Sequence, residues 1–364
     1  MIRPATETDL DRLVEIHMAS YPDDRGAPVR RLNFVQNAMG RLEDLRVCER
    51  DGELVGHAFG FDLATWFAGR AVPTLGIASV AVAPEARGSG VARDLLVGLE
   101  DEARGRGALV CILHAFRHGF YARRGYADVM PNVRLACDPR AIPHAWVKAA
   151  RDAPLHGSHD AKALIAMYDD ACKRHTGWIR RPETLWTRRF ASERRRWVVL
   201  DGAGYVAFET TQREPHARTR LFVHEMVARD DDARRTLWGF LGMQVGQCAE
   251  IDVEIAKDDP TPLALTDIDG ARHGSEDVEH TVGRVVAGPM IKLLDRDRAL
   301  AARGVSADAL EGVTIDDRAL ASVAFGGLGL RDAVALDLAY GDHTSVARAD
   351  EALRIPPFFT VDRF

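Results

Sequence analysis

The segment from Val80 to Ala92, VAVAPEARGSGVA, contains the residue types of an anion-binding turn. It predicts a buried strand, a turn containing Gly88 and Gly90, and a helix that runs to about Arg104. The first N–H groups of a helix lack intrahelical partners and lie at the positive end of its dipole, so they favour anions. Glycine has no Cβ and lets an anion approach the main chain. The pattern favours a pyrophosphate ligand, although a glycine-containing turn between a strand and a helix is also common without one.

A second motif follows further along the chain. Ala108–His114 predicts another apolar strand, and the sequence GFYARRGY begins at Gly119. Together with Arg87-x-x-Gly90-x-Ala92, this segment resembles the acetyl-CoA signature and the late F/Y-Y-x-R-x-G-F/Y segment of the GCN5-related N-acetyltransferases. The resemblance implies acetyl-CoA as co-substrate and no metal. It places the cofactor site at Val80, Ala81, Val82, Arg87, Gly88, Ser89, Gly90, Val91 and Ala92.

The similarity extends over essentially the whole chain. GWIRRP from Gly177, VHEMV from Val223, MIKLLD from Met290 and the final PPFFTVDRF are similar to segments of the Eis-type (enhanced intracellular survival) N-acetyltransferases. That resemblance implies an α/β (α+β) fold with tandem acetyltransferase domains and a small C-terminal domain like sterol carrier proteins. The expected domains are residues 1–136, which bind acetyl-CoA, residues 137–287, which are degenerate, and residues 288–364.

The second expected domain repeats the strand–turn–helix pattern with a different turn. Leu221–Ala228 predicts a strand and Ala233–Gln247 a helix, and Arg229-Asp230-Asp231-Asp232 lies between them. Carboxylates suit the positive end of a helix dipole but repel a pyrophosphate. We therefore predict that this domain has lost the cofactor site and has a structural role, with a share in lining a substrate cleft as the alternative.

Other elements follow from local signals. Asp51-Gly52 predicts a β-hairpin. Val72–Leu75 and Ile77–Ala83 are interpreted as separate strands. Met290–Arg303 predicts one helix, which Gly304 ends.

Acetyl transfer requires a neutral amine, a stabilised carbonyl oxygen and a proton for the departing thiolate. The resemblance implies a splayed strand near Val82 with oxyanion-binding N–H groups, and Tyr121 as general acid. The alternative for Tyr121 is a purely structural hydrogen bond, and Tyr126 is expected in the core. The resemblance also implies the terminal carboxyl group of Phe364 as base, with a frayed chain end as the alternative.

Composition limits the functional classes. The 364 residues suit two or three domains, and a net charge of −6 argues against general nucleic-acid binding and favours cationic partners. No apolar run reaches membrane-spanning length, and the N-terminus lacks the apolar core of a signal peptide. Five cysteines without a CxxC pair argue against a zinc site and favour a reducing cytoplasm.

The sequence thus predicts an acetyl-CoA-dependent N-acetyltransferase that acts by direct attack in a ternary complex. The expected acceptors are primary amines of aminoglycoside- or polyamine-like cationic molecules, or lysine side chains, with Asp24 and Phe34 as candidate substrate-binding residues. A non-catalytic acyl-CoA-binding or lipid-carrier module is the alternative. The resemblance also implies a homo-oligomer, often a hexamer, without membrane or nucleic-acid partners.

Overall fold

The computed structural model describes residues 1–22, 26–212, 214, 218–268 and 281–363. The N-terminal part of the chain forms most of a first, mixed sheet with helices packed against it. Its elements are β1 (Ile2–Pro4), α1 (Leu10–Ser20), α2 (Gly26–Val35), β2 (Leu45–Arg50), β3 (Glu53–Phe67), β4 (Arg70–Val82), α3 (Val91–Gly105), β5 (Val110–Leu113), α4 (His118–Ala122) and β6 (Ala127–Asp128).

The middle of the chain forms a second sheet of similar design. Its elements are β7 (Asn132–Cys137), α5 (His144–Asp152), β8 (Leu155–Gly157), α6 (Ala161–Cys172), α7 (Glu183–Phe190), β9 (Arg196–Leu200), β10 (Gly204–Thr211), β11 (Arg220–Ala228), α8 (Asp231–Gly242), β12 (Glu250–Ile255), α9 (Thr261–Ala264) and β13 (Gly283–Val286).

The C-terminal region is mainly helical and packs on the first sheet. Its elements are β14 (Met290–Leu293), α10 (Arg296–Arg303), β15 (Val313–Ile315), α11 (Asp317–Ala324), α12 (Leu330–Ala335), β16 (Ala339–Gly341) and α13 (His343–Leu353). Buried side chains of this region, such as Phe325 and Phe358, share one apolar core with Phe67 and Val72 of the first sheet. In its described part, the only sheet that the region forms by itself is the β15–β16 pair.

The two seven-stranded sheets exchange strands. The first has the order β1-β2-β3-β4-β5-β14-β6, and the second has the order β13-β7-β12-β11-β10-β9-β8. Thus β14, which follows the second unit in sequence, lies between β5 and β6 of the first sheet. In the same way β7, which follows the first unit, pairs with β12 of the second sheet. The domain boundary predicted at 136/137 therefore falls within β7. The boundary predicted at 287/288 assigns β14 to a different domain from the sheet in which it lies.

Two sequence-based assignments need correction. Met290–Arg303 is not one helix: Met290–Leu293 pairs antiparallel with β5, and the helix begins only after Asp295, whose carboxylate accepts from the Arg298 N–H. The separate strands predicted around Gly76 are one strand, β4, because its pairing with β3 continues through Gly76 and Phe61. The hairpin at Asp51-Gly52 is confirmed, with φ of 52° and 82° at the two turn residues.

Close packing fixes where α3 begins. Val91, its first residue, lies against Gly56 of β3, where a Cβ would come within 2.7 Å of the Val91 Cγ1. The apolar face of α3, with Leu95 and Leu99, is fully buried against the first sheet. The glycine in β3 thus lets the helix approach closely and holds its N-terminus beside the end of β4.

Candidate active site

The glycine turn after β4 has the geometry that the sequence predicted. Gly88 and Gly90 have φ of 82° and 91°, a region that favours glycine. No side chain caps α3, which begins at Val91. Its first N–H groups therefore remain available to a ligand.

A cavity of about 680 Å³, which we call the glycine-turn cavity, opens at this helix start. Four arginines lie along its described lining, and none of its described lining residues is Asp or Glu: Arg87, Arg93, Arg117 and Arg124. Its volume falls within the roughly 300–1,000 Å³ of small-molecule sites. The positive lining and the free helix terminus together suit a polyanionic ligand.

Most of the predicted cofactor-binding residues line this cavity: Val80, Val82, Arg87, Gly88, Gly90, Val91 and Ala92. Ala81 does not, because side chains alternate along a strand and Ala81 points into the core on the opposite face. Ser89 also turns away: its hydroxyl donates to the Ala86 carbonyl (2.7 Å) and accepts from Arg50 (3.0 Å).

The strand beside the cavity is bulged and splayed. Pairing of β4 with β5 ends at Ile77–Leu113, while β4 continues to Val82 without β5. The pairing of β4 with β3 shifts between His57–Ala81 and Phe59–Ala78, and Ser79 in the bulge has φ of 52°. The expected splay is therefore present. It leaves main-chain groups next to Val80 free of β5, as an oxyanion site requires.

Tyr121 lies beside the cavity in a cluster of aromatic rings. It is 2% exposed, and its ring centroid is 5.0 Å from that of Phe120 and 6.0 Å from that of Phe116. Its hydroxyl has no hydrogen-bond partner in the described part of the chain, so the structural hydrogen bond considered from sequence is absent there. Burial, and secondarily Tyr21, raise the pKa of Tyr121, so its hydroxyl is protonated at neutral pH.

Tyr126 lies in the core, as predicted. It is fully buried, and its hydroxyl donates to Glu100 (2.8 Å) and lies 3.2 Å from the Cys111 sulfur. Its hydrogen-bonding capacity is therefore used within the fold. The two tyrosines therefore differ: within the described ranges the Tyr126 hydroxyl is paired and the Tyr121 hydroxyl is not.

Sequence reasoning missed Tyr21 as a site residue. Its side chain lines the glycine-turn cavity, its ring stacks on His17 at 4.7 Å, and its hydroxyl donates to the Val80 carbonyl over 2.9 Å. This bond occupies the carbonyl of the bulged segment and orients the peptide groups that border the cavity. The available signal was an aromatic residue at the end of α1, immediately before Pro22.

The structure describes only one of the three residues predicted to bind the substrate or to act as base. Phe34 is 3% exposed and packs against His17, His57 and Phe59, so it belongs to the core and not to a cavity wall. Asp24 and Phe364 lie outside the described residues.

The C-terminal segment reaches the open end of β5. Asp362 is buried and forms ion pairs with Arg181 and Arg189, and its main chain hydrogen-bonds to the His114 ring. Burial, and secondarily Arg363, lower the pKa of His114 to about 4, so this imidazole is neutral near pH 7. The tail thus packs close to the splayed strands.

Comparisons with known proteins agree with this geometry. Two families described as acetyltransferase (GNAT) domains match residues 1–129 and residues 177–285. The chain is 27% identical to N-acetyltransferase Eis of Mycobacterium tuberculosis, over 75% of this chain and 69% of that protein.

Solved structures share the fold. A GCN5-related N-acetyltransferase from Anabaena variabilis superposes with a TM-score of 0.83 at 18% identity, covering 100% of both chains. Eis1 from Mycobacterium abscessus superposes with a TM-score of 0.78 at 19% identity, again over 100% of both chains. The fold and the matched domains define this protein as an acetyltransferase of the GNAT class.

It is an N-acetyltransferase, and its resemblance to the Eis type, predicted from the motifs, is confirmed. Within the described residues, no helix is both long and apolar enough to span a membrane. The same residues contain no group of three or more His, Cys, Asp or Glu side chains arranged to hold a metal ion.

Proposed function

We propose that this enzyme transfers the acetyl group of acetyl-CoA directly to a primary amine within a ternary complex. The observation that carries the proposal is the glycine-turn cavity, which combines an uncapped helix start, a positive lining and a bulged strand. Tyr121, whose hydroxyl has no hydrogen-bond partner among the described residues, lies beside it.

The residues present fit acetyl-CoA. The N–H groups at Gly90 and Val91, with Arg87 and Arg93, would hold the pyrophosphate. The pantetheine arm would then follow β4 into the gap that the missing pairing with β5 leaves, toward Val80. Acetyl-CoA supplies the thioester, and free main-chain groups near Val80 would stabilise the oxygen of the tetrahedral intermediate.

The transfer involves two bond changes. The amine nitrogen attacks the thioester carbonyl carbon, the C–N bond forms, the C–S bond breaks, and the amine loses a proton to a base. Tyr121 donates its proton to the departing sulfur. A buried phenol holds that proton at neutral pH. A thiol has a pKa of about 8.5, so proton transfer to the thiolate depends on close placement of the sulfur. The carboxyl group of Phe364 as base stays a prediction.

The second unit does not hold the cofactor in this proposal. Asp230 accepts from the Ala233 N–H over 2.9 Å, so a carboxylate caps the helix where the first unit has free N–H groups. The sterol-carrier likeness of the C-terminal region, homo-oligomer formation and a cytoplasmic location also stay predictions. Aminoglycoside- or polyamine-like amines and lysine side chains are the acceptor classes that the sequence predicts.

The test is release of CoA from acetyl-CoA, measured with a thiol reagent in the presence of amines. The panel contains aminoglycosides, polyamines, lysine peptides and small amines that carry a carboxylate or a phosphate. We expect amine-dependent release with one acetyl group found on the amine per CoA. Acetyl-CoA binding without release for every amine would contradict the proposal and favour a binding module.

A further inference from the structure

A second cavity lies next to the first one along β4. It has a volume of about 490 Å³ and lies between the first unit and helix α7, so we call it the interdomain cavity. Ala78 and Ser79 of the bulge form part of its lining, while Val80 and Val82 line the glycine-turn cavity. Consecutive residues of one strand therefore border both cavities. A molecule in the interdomain cavity could present an amine to a thioester held beside Val80.

The interdomain cavity is strongly positive. Arg188, Arg189, Arg195 and Arg363 belong to its described lining, which contains no Asp or Glu. The neutral hydrogen-bonding side chains of the described lining are Asn37, Ser79 and Ser192. This charge is local, because the chain as a whole has a formal net charge of −6.

Two of these arginines are neutralised by the protein itself. Arg189 forms ion pairs with Glu225 (3.0 Å) and Asp362 (2.6 Å), which also hold the fully buried Arg181. Two guanidinium groups thus face two carboxylates. Arg363 is paired with Glu254 over 2.8 Å.

Among the described residues, no carboxylate compensates the charge of Arg195 in this way. No carboxylate of the described residues forms an ion pair with it, and one of its nitrogens lies 3.4 Å from the His224 Nδ1. Its Nε and Nη1 are buried without a hydrogen-bond partner. Burial, and secondarily Arg189, lower the pKa of Arg195 to about 10, which leaves it charged at neutral pH. Burial first, and then Arg195, lower the pKa of His224 to about 4, so the imidazole is neutral there.

Arg188 adds a second uncompensated charge. It is exposed, and within the part of the chain that the structure describes its guanidinium donates only to the Asn33 side chain, over 3.3 Å. Buried guanidinium N–H groups without an acceptor are costly, and an anion that reaches them removes that cost. A polycationic amine would instead meet like charges.

We propose that the acceptor carries an anionic group, a carboxylate or a phosphate, which Arg195 binds with the help of Arg188, beside the amine that receives the acetyl group. The inference rests on the proposed function, since it assigns the interdomain cavity to the acceptor of that reaction. It favours acceptors with an anionic group over the polycationic amines that the sequence predicts. The planar guanidinium suits either oxyanion, because it can donate two parallel hydrogen bonds.

Calorimetric titration of the full chain, saturated with CoA, tests this assignment without any acetyl transfer. The probes are O-phosphoethanolamine, 4-aminobutyrate, ethanolamine and spermidine. We expect one or both anionic amines to bind at least about tenfold more tightly than ethanolamine and spermidine, and their ranking separates phosphate from carboxylate. Arg195→Met should weaken the binding of the preferred anionic amine about 10- to 100-fold, and Arg195→Lys should weaken this binding less. Arg188→Gln should give a smaller loss in the same direction.

Arg194→Gln is the matched control, because Arg194 is exposed and does not line the cavity. It should leave every affinity within about twofold. The inference would be overturned if spermidine bound more tightly than both anionic amines. It would also be overturned if neither anionic amine bound more tightly than ethanolamine. Unchanged affinities in a folded Arg195→Met variant, or an equal loss for all four amines, would overturn it as well. Because these titrations need no chemistry, absence of CoA release would count against the proposed function alone.

Discussion

The two acetyltransferase-like units contain the same strand–turn–helix step, but the residues at the start of the helix differ in their chemistry. In the first unit, β4 leads through Gly88 and Gly90 to α3, which no side chain caps. In the second unit, β11 leads to α8, and the Asp230 carboxylate accepts from the Ala233 N–H. The same backbone device therefore leaves the helix start open in the first unit, where we propose the anion site, and capped by a carboxylate in the second.

The cavities beside these helices differ in the same sense. The cavity in the second unit, of about 400 Å³, contains Asp230, Asp231 and Asp259 in its lining. Arg229 and Arg234, which could attract a phosphate, are paired with these carboxylates over 3.1 to 3.3 Å. The comparison shows that two similar strand–turn–helix steps differ in the charge around the helix start, and this difference is the basis for the proposal that only the first unit holds a pyrophosphate.

The sharpest test of this contrast is Tyr121→Phe, because the contrast assigns all chemistry to the first unit. Loss of a general acid should lower kcat by about 10²- to 10⁴-fold, while the Kd for acetyl-CoA changes little. Steady-state CoA release and calorimetric titration measure the two quantities. Tyr126→Phe is the control: it should cost stability through Glu100 and Cys111 and retain most of kcat. Equal losses of kcat in both variants would contradict the assignment.

Asp362→Asn tests how the second unit is held to the C-terminal segment. The change leaves buried Arg181 and Arg189 short of one carboxylate, so unfolding free energy should fall by about 3–5 kcal/mol. Urea unfolding gives this value. Asp317→Asn removes an exposed pair with Arg296 and should cost below about 1 kcal/mol. A loss equally small for Asp362→Asn would show that the buried cluster is not needed for stability.

Glu225 makes the same cluster sensitive to acid. Burial alone would raise the pKa of Glu225, but Arg181 and Arg189 outweigh it and lower the pKa to about 2 from 4.5. The folded state therefore binds this proton less readily than the unfolded state. Its contribution to stability should be complete above about pH 4.5 and decline as pH falls toward about 2. Urea midpoints across that range measure the decline, and Glu225→Gln should flatten it. A profile identical in both proteins would contradict the prediction.

Gly88→Asp would make the first unit resemble the second. A Cβ at Gly88 meets no atom within 4 Å, and Asp and Asn tolerate positive φ better than most residues. A carboxylate about 6 Å from a phosphate charge costs roughly 2–3 kcal/mol at an effective dielectric constant of about 20, so the Kd for acetyl-CoA should rise about 30- to 150-fold. Gly88→Asn controls for shape and should have a much smaller effect. Equal effects of both variants would mean that charge is not what distinguishes the units.

Asp230→Ala is the reciprocal change and should have the smallest effect. Removal of the cap should lower unfolding free energy by about 0.5–2 kcal/mol and leave acetyl-CoA binding unchanged. Asp232→Ala, which loses only an exposed pair with Arg235, should cost less. Thermal unfolding compares the two variants. A second acetyl-CoA site in Asp230→Ala would mean that the cap alone blocks the second unit.

The sequence predicts the features that depend on neighbouring residues. The glycine turn, the hairpin at Asp51-Gly52 and the carboxylates at the start of α8 are local, so residue types and spacing suffice. Strand exchange depends on pairing partners that are distant in sequence, so Met290–Leu293 was interpreted as helix. The Tyr21 bond to Val80 and the uncompensated charge of Arg195 arise in the same way from distant contacts. The burial of Phe34 likewise depends on its packing against His17 and His57, which lie elsewhere in the sequence.

The most direct test of the contrast is the stoichiometry of acetyl-CoA binding to the full chain, measured by calorimetric titration. The account predicts one molecule per chain, bound about 30- to 150-fold more weakly in Gly88→Asp and with unchanged affinity in Asp230→Ala. Two molecules per chain, or one whose affinity Gly88→Asp leaves unchanged, would contradict the assignment of the cofactor site to the first unit alone.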